Sequence, residues 1–137
     1  MTAGPCGPLL RGLAVLLAII AGESVNGTIR ELLITPSLGD LAARRVSFVT
    51  ALLMISVITI FTIRWIRAAG YRQTMLVGLL WVILEVALGR FVTGASWDRI
   101  VQDYDITRGG LMLFGSIYLL LVPSIAFCIR RRSWQAR

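Results

Sequence analysis

The stretch Leu80-Trp81-Val82-Ile83-Leu84-Glu85-Val86-Ala87-Leu88-Gly89-Arg90-Phe91-Val92-Thr93-Gly94-Ala95-Ser96-Trp97 reads as the outer half of a transmembrane helix with a carboxylate set inside it. From Gln73 to Gly89 the only charge is Glu85, so residues 73–92 form a span of about 20 residues, the length that crosses a hydrocarbon core. A charge at mid-bilayer costs about 2.5–3.5 kcal/mol even on the lenient insertion scale, so Glu85 is expected to face other helices and to have a partner.

The bulk composition agrees with that reading. The chain has 137 residues, is 57% hydrophobic and carries a formal charge of +7, with a mean hydropathy of +0.80. The apolar excess over an ordinary soluble domain points to a bilayer. All fourteen basic residues are arginine and there is no histidine, so no imidazole is present as a proton shuttle or metal ligand. The arginines flank apolar runs, so they are read as orientation signals and nucleic acid is not an expected partner. Cys6 and Cys128 are too few for a disulfide scaffold or a zinc site.

Immediately after the opening stretch, Trp97, Ile100, Val101 and Tyr104 fall at i, i+3, i+4 and i+7. Asp98, Arg99, Gln102 and Asp103 face elsewhere, which predicts a short amphipathic helix over about 97–104 lying in the interface. Trp97 and Tyr104 would anchor it at headgroup level, and Ser96 would cap it. Gly109-Gly110 then turns the chain into a last span over about 110–129, with Pro123 inside it and Arg130-Arg131-Arg132 at its end.

Toward the amino terminus, residues 46–65 make a span with no charge before Arg64, in which Ser47, Thr50, Ser56, Thr59 and Thr62 can return their hydroxyls to the backbone or bond across helices. The short connection to residue 73 is expected to make the second and third spans antiparallel neighbours. The first span covers about 9–33 and is read as retained rather than as a cleaved signal, because Ile19 makes a poor cleavage position before Ala21. Residues 1–8 carry no expected structure. Ala14, Ala18, Ala21 and Gly22 share one side, the small-residue pattern of close helix contact in lipid. Pro36 is expected to end this helix and Asp40 to cap the next. The fold class is therefore all-α: one polytopic membrane domain over 1–137, a four-transmembrane-helix bundle with an interfacial helix between spans three and four.

Arginine counting orients it. Arg11, Arg64, Arg67, Arg72, Arg130, Arg131, Arg132 and Arg137 lie on one side with no acid among them. The six arginines of the first and third loops are offset by Glu23, Glu31, Asp40, Asp98, Asp103 and Asp105. Both termini are expected to be cytoplasmic, in a bacterial inner (cytoplasmic) membrane. Glu23 and Glu85 then each lie roughly 18 Å above the cytoplasmic boundary of a core about 30 Å thick.

Glu23, Asn26 and Arg30 share a helical face, and Arg90 lies above Glu85. Arg30 or Arg90 is the expected partner of Glu85, with Asn26 as an alternative donor. Such a cluster reads either as an inter-helix pair that fixes packing or as a site open to the outer face that takes a proton, cation or polar ligand. Asp103 and Asp105 point to different sides of a helix, so a metal site there is not expected, and no motif implies a cofactor. Asn26-Gly27-Thr28 matches a glycosylation acceptor but lies too close to the membrane.

At Asn26-Gly27-Thr28-Ile29-Arg30-Glu31-Leu32, at Glu85…Gly89-Arg90 and at Ser96-Trp97-Asp98-Arg99-Ile100…Asp103-Tyr104, the chain resembles a group of small uncharacterised four-helix bacterial integral membrane proteins. The resemblance implies the same four-span layout and brings no activity and no site residues. Small multidrug-resistance transporters share the size and a membrane carboxylate, but theirs lies in the first span. Three functions follow in order: a non-catalytic accessory or regulatory subunit of a membrane complex, with the bilayer and a protein partner or second copy around it; an oligomeric small transporter or channel using Glu85; and a membrane enzyme acting on a lipid-linked substrate at the outer face through Asp98, Asp103 or Asp105.

Overall fold

The computed structural model describes residues 6–92, 94 and 96–135, with side chains through residue 131. Residues 1–5, the Arg132 side chain and Arg137, all weighed above, lie outside the described residues. The fold is all-α, and four helices are long and apolar enough to cross a membrane: Cys6–Leu38, Asp40–Ile66, Tyr71–Phe91 and Met112–Arg131. Only 22% to 28% of the most apolar window of each is buried in the bundle. Leu17, Leu53, Phe61, Ile83 and Ile117 point outward, so the outer surface suits lipid rather than water.

The first span is built in three pieces. Helix α1 (Cys6–Ile29) starts inside the segment expected to be unstructured, with Pro8 in its first turns, where a missing N–H costs little. Pro36 does not end the span. It has no N–H for the carbonyl of Leu32 and would clash with it in a regular α-turn. The backbone instead widens over Arg30–Ile34 into a π-helical turn, with Thr35 N–H bonded to the Arg30 carbonyl, and resumes as α2 (Thr35–Leu38). The stop comes at Gly39, whose φ of 79° belongs to the left-handed region that costs glycine nothing.

Helix α3 (Asp40–Ile66) follows at once. Gly39 takes the capping position and Asp40 is the first helical residue; its carboxylate is 3.0 Å from Arg44 one turn on, so it serves the helix end as a charge rather than as a cap. Along α3 the hydroxyls of Thr50, Ser56, Thr59 and Thr62 donate to carbonyls four residues back. Helix α4 (Tyr71–Phe91), helix α5 (Trp97–Tyr104), a 3-10 turn (Ile106–Arg108) and helix α6 (Met112–Gln135) complete the chain.

The four spans form a ring in the order α1, α3, α6, α4. Helices α3 and α4 are therefore diagonal, not the side-by-side neighbours expected from their short connection. The reason is reach. Helix neighbours sit about 8–10 Å apart, so a diagonal is roughly 13 Å, within the span of five extended steps between Ile66 and Tyr71. Arg67 in the left-handed region, at φ 57°, and Gly70 fully extended, at φ 177°, make that crossing.

The pairs across the ring fix its directions. Asn26 meets Ser47 and Arg11 meets Trp65, so α1 and α3 are antiparallel. Thr74 meets Ser124 and Glu85 meets Ser116, so α4 and α6 are antiparallel. At the centre the fully buried Trp81 donates its indole N–H to the Gly12 carbonyl at 2.8 Å, joining α4 to α1. Gly78 lets α4 touch α6: a Cβ there would lie 2.1 Å from the Leu120 carbonyl oxygen. Ser56 and Tyr118 share a short hydrogen bond between α3 and α6. In lipid, where apolar burial drives little association, such packing and cross-helix bonds of roughly 0.6 kcal/mol each hold the helices together.

Ala14, Ala18 and Ala21 do not take part in this packing. They are exposed, while Gly12, Val15, Leu16 and Ile19 make the inward face of α1. Three of the four small residues therefore look out of the bundle, while Gly22 packs against Met54 on α3.

Candidate functional site

At the end of the bundle that carries α5, the four spans splay around a cavity of about 640 Å³. Its deep walls are apolar, from Leu16 and Ile19 on α1, Ile55 on α3 and Leu119 on α6. Its mouth is charged: Glu23 on α1, Arg30 in the π-helical turn, Arg44 on α3, Glu85 on α4, and Arg99 and Asp103 on α5. Below it, the layer of Val77, Trp81 and Val122 is fully packed.

The guanidiniums at the mouth each have a carboxylate of their own. Arg30 pairs with Glu31 at 2.7 Å, Arg44 with Asp40 at 3.0 Å and Arg99 with Asp103 at 3.9 Å. Glu23 and Glu85 are in none of the ion pairs among the described residues. Glu85 instead accepts a long hydrogen bond, 3.5 Å, from the Ser116 hydroxyl, which is 2.7 Å from the Tyr104 hydroxyl. One oxygen of Glu23 is buried without a hydrogen-bond partner, as is Nε of Arg30. A polar group left so costs about 1–3 kcal/mol, which a ligand or water in the cavity would offset.

The expected pairing of Glu85 with Arg30 or Arg90 is thus corrected. Arg30, the first residue of the π-turn, pairs instead with Glu31, the next residue along. Arg90 lies over the rings of Phe91 and Trp97, at 5.9 and 5.8 Å, away from the cavity walls. Asn26 does not reach Glu85 either; its amide donates to the Ser47 carbonyl at 3.1 Å and ties α1 to α3. Glu23, Arg30 and Glu85 do line one cavity, while Asn26 and Arg90 do not.

Helix α5 closes one side of the mouth. Ser96 caps it, accepting from the Arg99 N–H at 3.2 Å. Trp97 is 58% exposed, while Tyr104 turns inward to Ser116. Asp105 accepts from both the N–H and the hydroxyl of Thr107, at 2.9 and 2.6 Å, and lies 3.3 Å from Arg108, so it staples the turn. Sequence reasoning missed Ser116 and Arg44, and expected a cross-helix bond from the hydroxyl of Ser47 where its carbonyl is the group that Asn26 reaches. Ser116 beside Gly115 in an apolar run was the available signal, but linking it to Glu85 requires the rotation of α6 about its axis.

No family model, no curated protein and no solved structure matches this chain.

Proposed function

We propose that the protein is a small multi-pass membrane transporter or channel that binds a cation beside Glu85. One observation carries this reading: Glu85 and Glu23 face a cavity of about 640 Å³ with no guanidinium paired to either, while every arginine at its mouth is matched to another acid. That leaves a surplus of negative charge above apolar walls, the chemistry that receives a proton or an ammonium-bearing, partly apolar cation. The arginine distribution orients the cavity to the outer face of a bacterial inner membrane, with both termini cytoplasmic.

The test is binding of tetraphenylphosphonium, a lipophilic cation, to the purified chain and to its Glu85→Gln variant. Glu85→Gln should fold with unchanged yield and bind at least tenfold more weakly, since it removes a charge that the packing does not use. Equal binding by both proteins sinks the reading, and so does a variant that fails to assemble, which would make Glu85 a packing residue.

A second reading, an accessory or regulatory subunit, is favoured by the outward face of Ala14, Ala18 and Ala21. Small residues let another helix approach closely in lipid, whether from a partner or from a second copy. The enzyme reading is the weakest of the three, since Asp103 and Asp105 are engaged by Arg99, Arg108 and Thr107.

A further inference from the structure

We propose that the opposite end of the bundle, where α3 and α6 reach the α3–α4 crossing, is a binding site for the phosphate-bearing headgroup of an anionic lipid. It stands apart from the cation-binding reading and does not depend on it.

The diagonal crossing leaves a second cavity, about 500 Å³, between the crossing and α6. Arg64, Arg67, Arg130 and Arg131 all line it, and among the described residues no acidic side chain does. Four like charges around one cavity repel one another, and a phosphate placed among them relieves that repulsion while accepting bidentate hydrogen bonds. The helix ends do not neutralise them. A helix C-terminus contributes only about half a negative charge, and α6 runs on past this point to Gln135.

The arginines are also placed rather than loose. Arg130 donates Nε–H to the Ile60 carbonyl at 3.1 Å and lies over the Phe61 ring at 5.9 Å. Arg67 holds a left-handed backbone, at φ 57°, that glycine adopts at lower cost. Tyr71 and Phe127 meet edge to face at 5.4 Å and give the cavity an aromatic wall. The lipid source is favoured over a soluble anion by the surroundings: Phe61 is 72% exposed and Trp65 52% exposed on the adjoining apolar surface. A headgroup can therefore enter the cavity while its chains stay on the lipid-facing side, as basic pockets between membrane helices do with phosphate lipids.

Native mass spectrometry of the full chain in mild detergent tests this, with diphosphatidylglycerol, phosphatidylcholine and inorganic diphosphate titrated separately. Diphosphatidylglycerol should bind at least tenfold more tightly than phosphatidylcholine. The pair Arg64→Gln/Arg131→Gln should weaken it by roughly tenfold or more, at the scale expected for two arginines near a lipid phosphate. The pair Arg45→Gln/Arg108→Gln, outside both cavities, removes the same charge at the other end and should stay within twofold of the parent. Equal losses in both pairs would mean that net charge alone attracts the lipid, and the site falls. Tight diphosphate binding with no preference between the two lipids would assign the same phosphate chemistry to a soluble anion and overturn the lipid assignment. If the first pair does not fold, the parent chain decides alone: equal affinity for the two lipids ends the proposal.

Discussion

Gly78 and Gly89 lie on the same helix, eleven positions apart, yet their surroundings differ. A Cβ at Gly78 would meet the Leu120 carbonyl oxygen at 2.1 Å, while among the described residues nothing beyond its own helix backbone lies within 4 Å of one at Gly89. Backbone cannot yield as a side-chain tip can, so Gly78→Ala must push α4 away from α6. It should destabilise the bundle by about 1–3 kcal/mol, the range for overpacking. Gly89→Ala should be neutral or stabilising by up to about 1 kcal/mol through helix propensity. Unfolding of both variants in mixed micelles checks the difference, and equal midpoints would contradict the close contact. Glu85 shows the limits of sequence at this scale. That it faces inward follows from the cost of a charge in lipid. That it meets Ser116, and that Arg30 prefers Glu31, depends on helix rotation and on a π-turn that spacing does not encode.

At the scale of elements, α5 is the one whose bounds and cap both follow from its sequence. Its periodicity is that of a surface helix, and Ser96 stands where an N-cap is needed. An eight-residue helix is marginal by itself, so its cap matters. Ser96→Ala should cost about 1 kcal/mol. Amide exchange over Trp97–Tyr104 should quicken several-fold while that in the centre of α4 is unchanged; uniform exchange would mean that α5 is held only by its contacts with α4 and α6. The first span was less legible. Pro36 signals a break, but the backbone met the missing N–H with a wider turn over Arg30–Ile34, just before it, and kept going. Proline forbids one hydrogen bond without dictating how the chain compensates. The turn matters for the cavity, because Arg30 at its start lines the cavity mouth.

At the scale of the molecule, four spans could be counted from hydropathy, but not their order around the ring. A short connection requires antiparallel helices and permits either a neighbour or a diagonal, and only the packing of Gly12, Gly78 and Trp81 chooses. The outward side of α1 is open to a test of association. Ala18→Leu adds bulk on the exposed side of α1, so the isolated fold should keep its stability. If a partner or second copy packs there, the native assembly should shift to smaller mass in gentle detergent; an unchanged mass would remove that face as an interface. The diagonal crossing has one more consequence. It divides the protein into two helical hairpins, α1 with α3 and α4 with α6, connected along the chain by the strap of residues 67–70 and across the packed layer by bonds such as Trp81 to Gly12 and Ser56 to Tyr118. Glu23 belongs to one hairpin and Glu85 to the other, so the two carboxylates sit on opposite jaws. A small tilt of one hairpin against the other alters their separation without breaking a single hydrogen bond inside either jaw.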